Sequence, residues 1–102
     1  MREINVENYL KKEVEKQGGL CLKFASPTLR GVPDRIVLLP KGRIFFVELK
    51  AQNKKAKPHQ QRVHKLFKSL GVRVYVADSK EAVKEILKNE ICTAQLSEDC
   101  NR

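Results

Sequence analysis

Residues 35–39 and 43–50 are two short runs of mostly β-branched, aliphatic and aromatic side chains, separated only by Pro40-Lys41-Gly42. Such runs on either side of a Pro- and Gly-bearing tripeptide predict two strands joined as a hairpin. A three-residue turn sets Leu39 opposite Arg43, and the same register carried back along the ladder sets Asp34 opposite Glu48. Directly opposed residues have Cβ atoms roughly 4.5–5.5 Å apart and share a face of the sheet. Lys50 and Phe46, each two residues from Glu48, point to that face, whereas Phe45, Val47 and Leu49 point to the other. Two carboxylates facing each other across a ladder repel, and one tends to take up a proton unless a cation sits between them. Mg²⁺, a hard ion that takes oxygen ligands from one or two carboxylates with water and phosphate completing its shell, resolves that conflict. The plain alternatives are a Pro-Asp turn residue at Asp34 and a solvated strand face carrying Glu48 and Lys50.

The rest of the chain fits one domain around this hairpin. A chain of 102 residues buries roughly two thirds of its unfolded surface, enough for one modest core. Val6, Leu10 and Val14 recur every four residues and predict a helix over about 3–17, stopped by Gly18-Gly19. A strand follows over 20–25, then a loop punctuated by Pro27, Gly31 and Pro33. After the hairpin comes a lysine-rich loop over 51–57. Pro58 then opens a helix running to about Leu70, with Val63, Leu66, Phe67 and Leu70 as its apolar face and Gly71 as its stop. Residues 72–76 read as a strand. Asp78 or Ser79 caps a last helix to about Lys88, and Glu81 is placed for a capping box with Asp78. Residues 89–102 form a polar tail. The order α-β-β-β-α-β-α predicts an α/β fold, one four-stranded mixed sheet flanked by helices.

Charge narrows the function. Lys and Arg number 21 against 12 Asp and Glu, a formal net charge of +9, and a small domain this basic most often meets nucleic acid. Between Lys16 and Ala77 stand fourteen basic residues and only two acidic ones, Asp34 and Glu48. A cation bound beside a polyanion accounts for that pattern. No apolar run is long enough to cross a bilayer, and the first residues, with Glu3, Asn5 and Glu7, carry no secretory signal. Cys21, Cys92 and Cys100 are an odd number without Cys-x-x-Cys spacing, which predicts a reducing cytoplasm and neither a disulfide scaffold nor a zinc site.

Gly31-Val32-Pro33-Asp34-Arg35 followed by Phe46-Val47-Glu48-Leu49-Lys50 resembles the PD-(D/E)xK nuclease motif. More closely, the chain resembles the VRR-NUC branch, in particular its small stand-alone phage and prophage members. The likeness runs from about Glu3 to Lys88 and takes in Gly18-Gly19, Lys23-Phe24, Pro58-His59-Gln60 and Gly71-Val72-Arg73-Val74-Tyr75. It implies a restriction-endonuclease-like αβββαβ core over residues 1–88, with the tail from Asn89 left without a counterpart. Asp34 and Glu48 would hold a divalent metal, Mg²⁺ or Mn²⁺, with the carbonyl of Leu49 as a further ligand, Lys50 as the catalytic lysine and a first-helix glutamate completing the shell. Gln60 corresponds to a glutamine that the branch carries at the start of its second helix. Stand-alone members are expected to be homodimers that cut four-way (Holliday) DNA junctions, here in a bacterial host cytoplasm if the chain is phage-encoded.

The residues bear on two of these implications. Glu3 and Glu7 lie within about 40° of the Leu10–Val14 stripe at ~100° per residue, where unpaired acids are costly. Glu7, further into the helix, is the favoured ligand and Glu3 the reserve. A first turn favouring Glu through the helix dipole is the alternative. Gln60, three residues before Val63, faces inward either to support the metal site or as a satisfied helix-start glutamine. Lys54, Lys55 and Lys57, with Arg62, Lys65 and Lys68, suit contacts to a phosphate backbone. Lys23, Arg30 and Arg35 are further candidates for substrate contact, and His59 and His64 read as surface or phosphate contacts. Aromatics make up 6% of the chain, which disfavours stacking on single-stranded bases. Competing readings are a non-catalytic nucleic-acid-binding module on the same fold, a nuclease without junction selectivity, and an RNA nuclease. The presence of Asp34, Glu48 and Lys50 together favours catalysis.

Overall fold

The computed structural model describes the backbone of residues 3–100 and the side chains of residues 5–91. Helix α1 (Glu3–Lys16) leads into strand β1 (Leu20–Lys23). Strands β2 (Arg35–Leu39) and β3 (Arg43–Leu49) follow, joined by a three-residue turn over Pro40–Gly42. Helix α2 (Pro58–Ser69) crosses to strand β4 (Val74–Ala77), and α3 (Lys80–Cys100) ends the described chain. The strands lie in the order β1-β2-β3-β4. The first two pairings are antiparallel and the last is parallel, the mixed α/β sheet that the sequence predicts.

The hairpin register is the predicted one, with Leu39 opposite Arg43 and Arg35 opposite Val47. Lys41 and Gly42 both take positive φ in the connecting turn, which closes it in three residues. One face of the sheet carries Val37, Leu39, Phe45, Val47, Leu49 and Ala77, and these pack with Val6, Leu10 and Val14 of α1 and Val83, Ile86 and Leu87 of α3. The other face carries Phe46, whose ring meets Phe67 of α2 at 5.3 Å and Phe24 at 5.1 Å between centroids, both edge to face.

The end of α1 shows why two glycines are needed. Gly18 adopts φ +82, and the amides of Gly18 and Gly19 return to the carbonyls of Glu15 and Val14 at 2.9 and 3.0 Å, a Schellman termination. A Cβ on Gly19 would lie 2.3 Å from the carbonyl oxygen of Leu38 and 2.9 Å from Leu39 Cδ2. Gly19→Ala must therefore push α1 off β2. It is expected to cost about 1–3 kcal/mol, as overpacking does, read as a lowered denaturant midpoint with the slope unchanged.

Two elements differ from the sequence reading. In α2 the buried residues are Val63 and His64, while Leu66 and Leu70 are 48% and 73% exposed. The helix is turned so that Val63, His64 and Phe67 face the sheet, because Phe67 docks on Phe46. Helix α3 does not stop near Lys88 but runs on to Cys100. Glu90, within the stretch read as a polar tail, is fully buried. Its carboxylate accepts hydrogen bonds from Arg43 at 2.9 Å, Arg73 at 2.6 Å and Tyr75 at 2.5 Å. The cap of α3 is Ser79, whose Oγ accepts from the Ala82 amide at 3.1 Å. Asp78 instead accepts from the Asn53 amide at 3.1 Å and ties down the loop after β3. No helix among the described residues is long and apolar enough to cross a membrane.

Candidate active site

The site lies where β2 begins and β3 ends. The amide of Phe24 donates to the carbonyl of Asp34 at 2.9 Å, one step beyond the Lys23–Arg35 pair of the ladder. Glu48 stands beside Val76 on β4. Carried one residue past Arg35–Val47, the register gives a row of Phe24, Asp34, Glu48 and Val76 on the α2 face of the sheet. β2 has ended at this level, so the Leu49 amide has no backbone carbonyl opposite it. The carboxylate of Asp34 accepts that amide at 3.1 Å and takes the place of the missing ladder bond.

Glu48 is 4% exposed. A buried carboxylate needs charged or polar company, and two side chains supply it from different directions. Lys50 Nζ lies 3.4 Å from Glu48 Oε2. His64, carried in by α2, brings Nε2 to 3.8 Å from Glu48 Oε1. Burial, followed by the charges of Lys68 and Lys50, lowers the pKa of His64 from its ordinary value, so the imidazole beside Glu48 is neutral at neutral pH. Its Nε2 is buried and makes no hydrogen bond among the described residues.

The wall of this site opens on basic surface. A cleft of about 450 Å³ is lined by Lys54, Lys55, Lys65 and Lys68 together with His64 and Asp78. A second, of about 580 Å³, lies between the loop before Asp34 and α2 and is lined by Leu29, Arg30, His59, Arg62, Val63 and Leu66. Gly31 makes the second possible: at φ +91 it brings the loop so close to α2 that a Cβ would be 3.0 Å from the His59 carbonyl.

Asp34, Glu48, Leu49 and Lys50 thus meet at one end of the sheet, while Lys54 and Lys55 line the first cleft and Arg30 and Arg62 the second. Lys57 is exposed at the start of α2, and Lys23 is exposed on β1. Three expected residues are occupied differently. Arg35, expected to touch substrate, is only 8% exposed and forms an ion pair with Glu7. It faces α1, across the sheet from Glu48, because it pairs with Val47 on the core side. Glu7, expected to complete the metal shell, is thereby brought to Arg35. Among the described residues no three His, Cys, Asp or Glu side chains form a cluster able to hold a metal. The Glu3 side chain, the reserve ligand, lies outside the described residues. Gln60 caps α2: its Oε1 accepts the Lys57 amide at 2.9 Å, the second of its two readings.

His64 is the residue that the sequence reading misplaced at the surface. Its signal was present, since it stands four residues after Gln60 and three before Phe67 on one helical stripe. Ranking that stripe by hydrophobicity alone selected Leu66 and Leu70 instead.

Comparison with known proteins agrees with this architecture. The family model described as VRR-NUC domain matches residues 5–81. A protein of Acyrthosiphon pisum secondary endosymbiont phage 1, named "Putative nuclease p44", is 49% identical over 81 residues, covering 79% of this chain and 87% of its own. A solved structure described as a VRR_NUC domain superposes with a TM-score of 0.79 at 39% identity, covering 84% of this chain and 94% of its own. The chain therefore belongs to the VRR-NUC family of nuclease domains.

Proposed function

We propose that the chain is a divalent-metal-dependent endonuclease that hydrolyses DNA phosphodiester bonds, acts as a homodimer and selects four-way junctions. The observation that carries the catalytic part is the buried Glu48 carboxylate with Lys50 Nζ at 3.4 Å, its neighbours His64 and Val76 lining a lysine-rich cleft. The donor set suits a hard cation, being all oxygen: the carboxylates of Asp34 and Glu48 and the carbonyl of Leu49. The Leu49 amide is turned to Asp34, and in an extended residue the carbonyl leaves the same side of the strand as the amide. A divalent ion bound there lowers the pKa of water and stabilises charge developing at phosphorus.

The protein's own groups do the rest. Lys50, largely buried, keeps a fixed positive charge beside Glu48, where it orients the attacking water and offsets charge on the phosphate. Lys54, Lys55, Lys65 and Lys68 hold the strand through its backbone, which brings affinity and salt dependence but little sequence preference. Support for the dimer comes from the sheet face beyond α2. Leu20, Leu38 and Ile44 stand side by side across β1, β2 and β3, with Leu20 and Ile44 exposed and Leu22 exposed beside them. An apolar patch of this kind marks an interaction surface, and a two-fold pair would present two sites to two strands of a junction.

The test is cleavage of labelled four-way junction, linear duplex, single-stranded DNA and duplex RNA, with Mg²⁺, with Mn²⁺ and with chelator. Metal-dependent cuts in paired strands of the junction are expected. Equal cutting of every DNA would remove the junction selectivity and leave the nuclease. Equal cutting of RNA would remove the preference for DNA, and binding without cleavage under either metal would leave a non-catalytic module.

A further inference from the structure

We infer that His64 is a positioning residue for Glu48, its Nε2–H directed at Oε1 while Lys50 holds Oε2, so that the carboxylate is bracketed on both oxygens. The inference rests on the reading of Glu48 as a metal-holding carboxylate.

Three observations carry it. His64 is 5% exposed, and its Nε2 is buried without a hydrogen bond among the described residues. A buried ring nitrogen left so costs free energy unless the site gives it a partner. The nearest charged oxygen is Glu48 Oε1 at 3.8 Å. That separation is too long for a hydrogen bond as it stands, and contacts of this kind commonly tighten when a site is assembled on its substrate. The helix that carries His64 is also fixed over Glu48. Phe67, one turn further on, meets Phe46 edge to face, and Phe46 precedes Glu48 by two residues on the same face. A side chain that restrains a ligand in this way sets how much rotamer freedom is lost when the metal binds. Such supporting groups typically change metal affinity about 10–100-fold.

The test uses the full chain and two readouts besides cleavage. In metal-free, ¹⁵N-histidine-labelled protein, long-range ¹H–¹⁵N spectra report the tautomer of His64. The Nε2–H form is expected, with His64 signals that move in Glu48→Gln. Calorimetric titration with Mn²⁺, without DNA, is then made on wild type, His64→Leu and His64→Gln. His64→Leu, which fills the space without a donor, is expected to bind Mn²⁺ about 10–100-fold more weakly. His64→Gln, whose amide can reach Oε1, is expected to recover most of that loss. An Nδ1–H tautomer, or a leucine variant that binds Mn²⁺ like the wild type, overturns the inference. If the leucine variant fails to fold, the wild-type tautomer and its response to Glu48→Gln decide alone. A wild-type chain that shows the Nε2–H form coupled to Glu48 yet neither binds Mn²⁺ nor cuts DNA would sink the nuclease reading and leave the bracket standing.

Discussion

Lys50→Ala is expected to slow DNA cleavage by on the order of 10²–10³-fold, the usual loss when one preorganised charge is taken from a reacting centre. The reasoning is positional. Lys50 has its Nζ 3.4 Å from Glu48, and its amide is fixed to the Ala77 carbonyl at 2.9 Å. Its stem is thus anchored by the parallel pairing while its charge stays in the site. On the proposed function the cleft lysines outside this pair grip the strand, so affinity for DNA in chelator should change little. Single-turnover cleavage with enzyme in excess separates the two quantities. A variant that cuts within a few-fold of wild type would place the reacting phosphate elsewhere. A variant that loses DNA affinity and rate in parallel would make Lys50 a strand contact.

Glu90→Ala is expected to destabilise the fold by about 3–5 kcal/mol, the cost of breaking a buried charge pair from one side. For a domain of this size that is a fall of well over roughly 10 °C in melting temperature. The buried carboxylate draws together the first residue of β3 through Arg43, the approach to β4 through Arg73, and β4 itself through Tyr75. Without it, two guanidinium groups lose their counter-charge. Burial alone would raise the pKa of Glu90. Hydrogen bonds from Arg73, Tyr75 and Arg43, with the charge of Arg73, outweigh burial and hold it below the ordinary 4.5. The sign of the pH effect follows. The stabilisation is fully present above the ordinary carboxylate pKa and is lost as pH falls through the lowered, folded value. Thermal melts from neutral to acid pH should show that acid limb in wild type and a shallower one in Glu90→Gln.

Features closed by short loops were legible in the sequence. The turn of Pro40, Lys41 and Gly42 fixed the register of β2 against β3, and the Val6–Leu10–Val14 stripe fixed the buried side of α1, because both are local rules of backbone geometry. What stayed hidden depends on partners far away in the chain. Glu90 looks like one more polar residue of a tail until Arg43 and Arg73, 47 and 17 residues earlier, are brought to it. Arg35 looks like a surface base until α1 brings Glu7 against it. His64 was obscured for a different reason: α2 faces the sheet at its acidic end, where a polar residue belongs inside, and periodicity weighted by hydrophobicity favours the wrong side of the helix. From Phe45 onward the odd-numbered residues of β3 follow the hydrophobic rule closely, while the even-numbered ones depart from it at Glu48, the proposed metal-holding carboxylate.

The Asp34–Leu49 hydrogen bond also bears on the order of assembly. It closes within the β2–β3 hairpin and needs neither α2 nor β4. β4 reaches β3 only by a parallel pairing across the whole of α2, and contacts between segments close in sequence form more readily than distant ones. A chain emerging from synthesis can therefore align Asp34 and Glu48 early, while the surface that would grip a polyanion is still unmade. The lysine-lined cleft, by contrast, takes His64, Lys65 and Lys68 from the crossover helix and is complete only once that helix is docked.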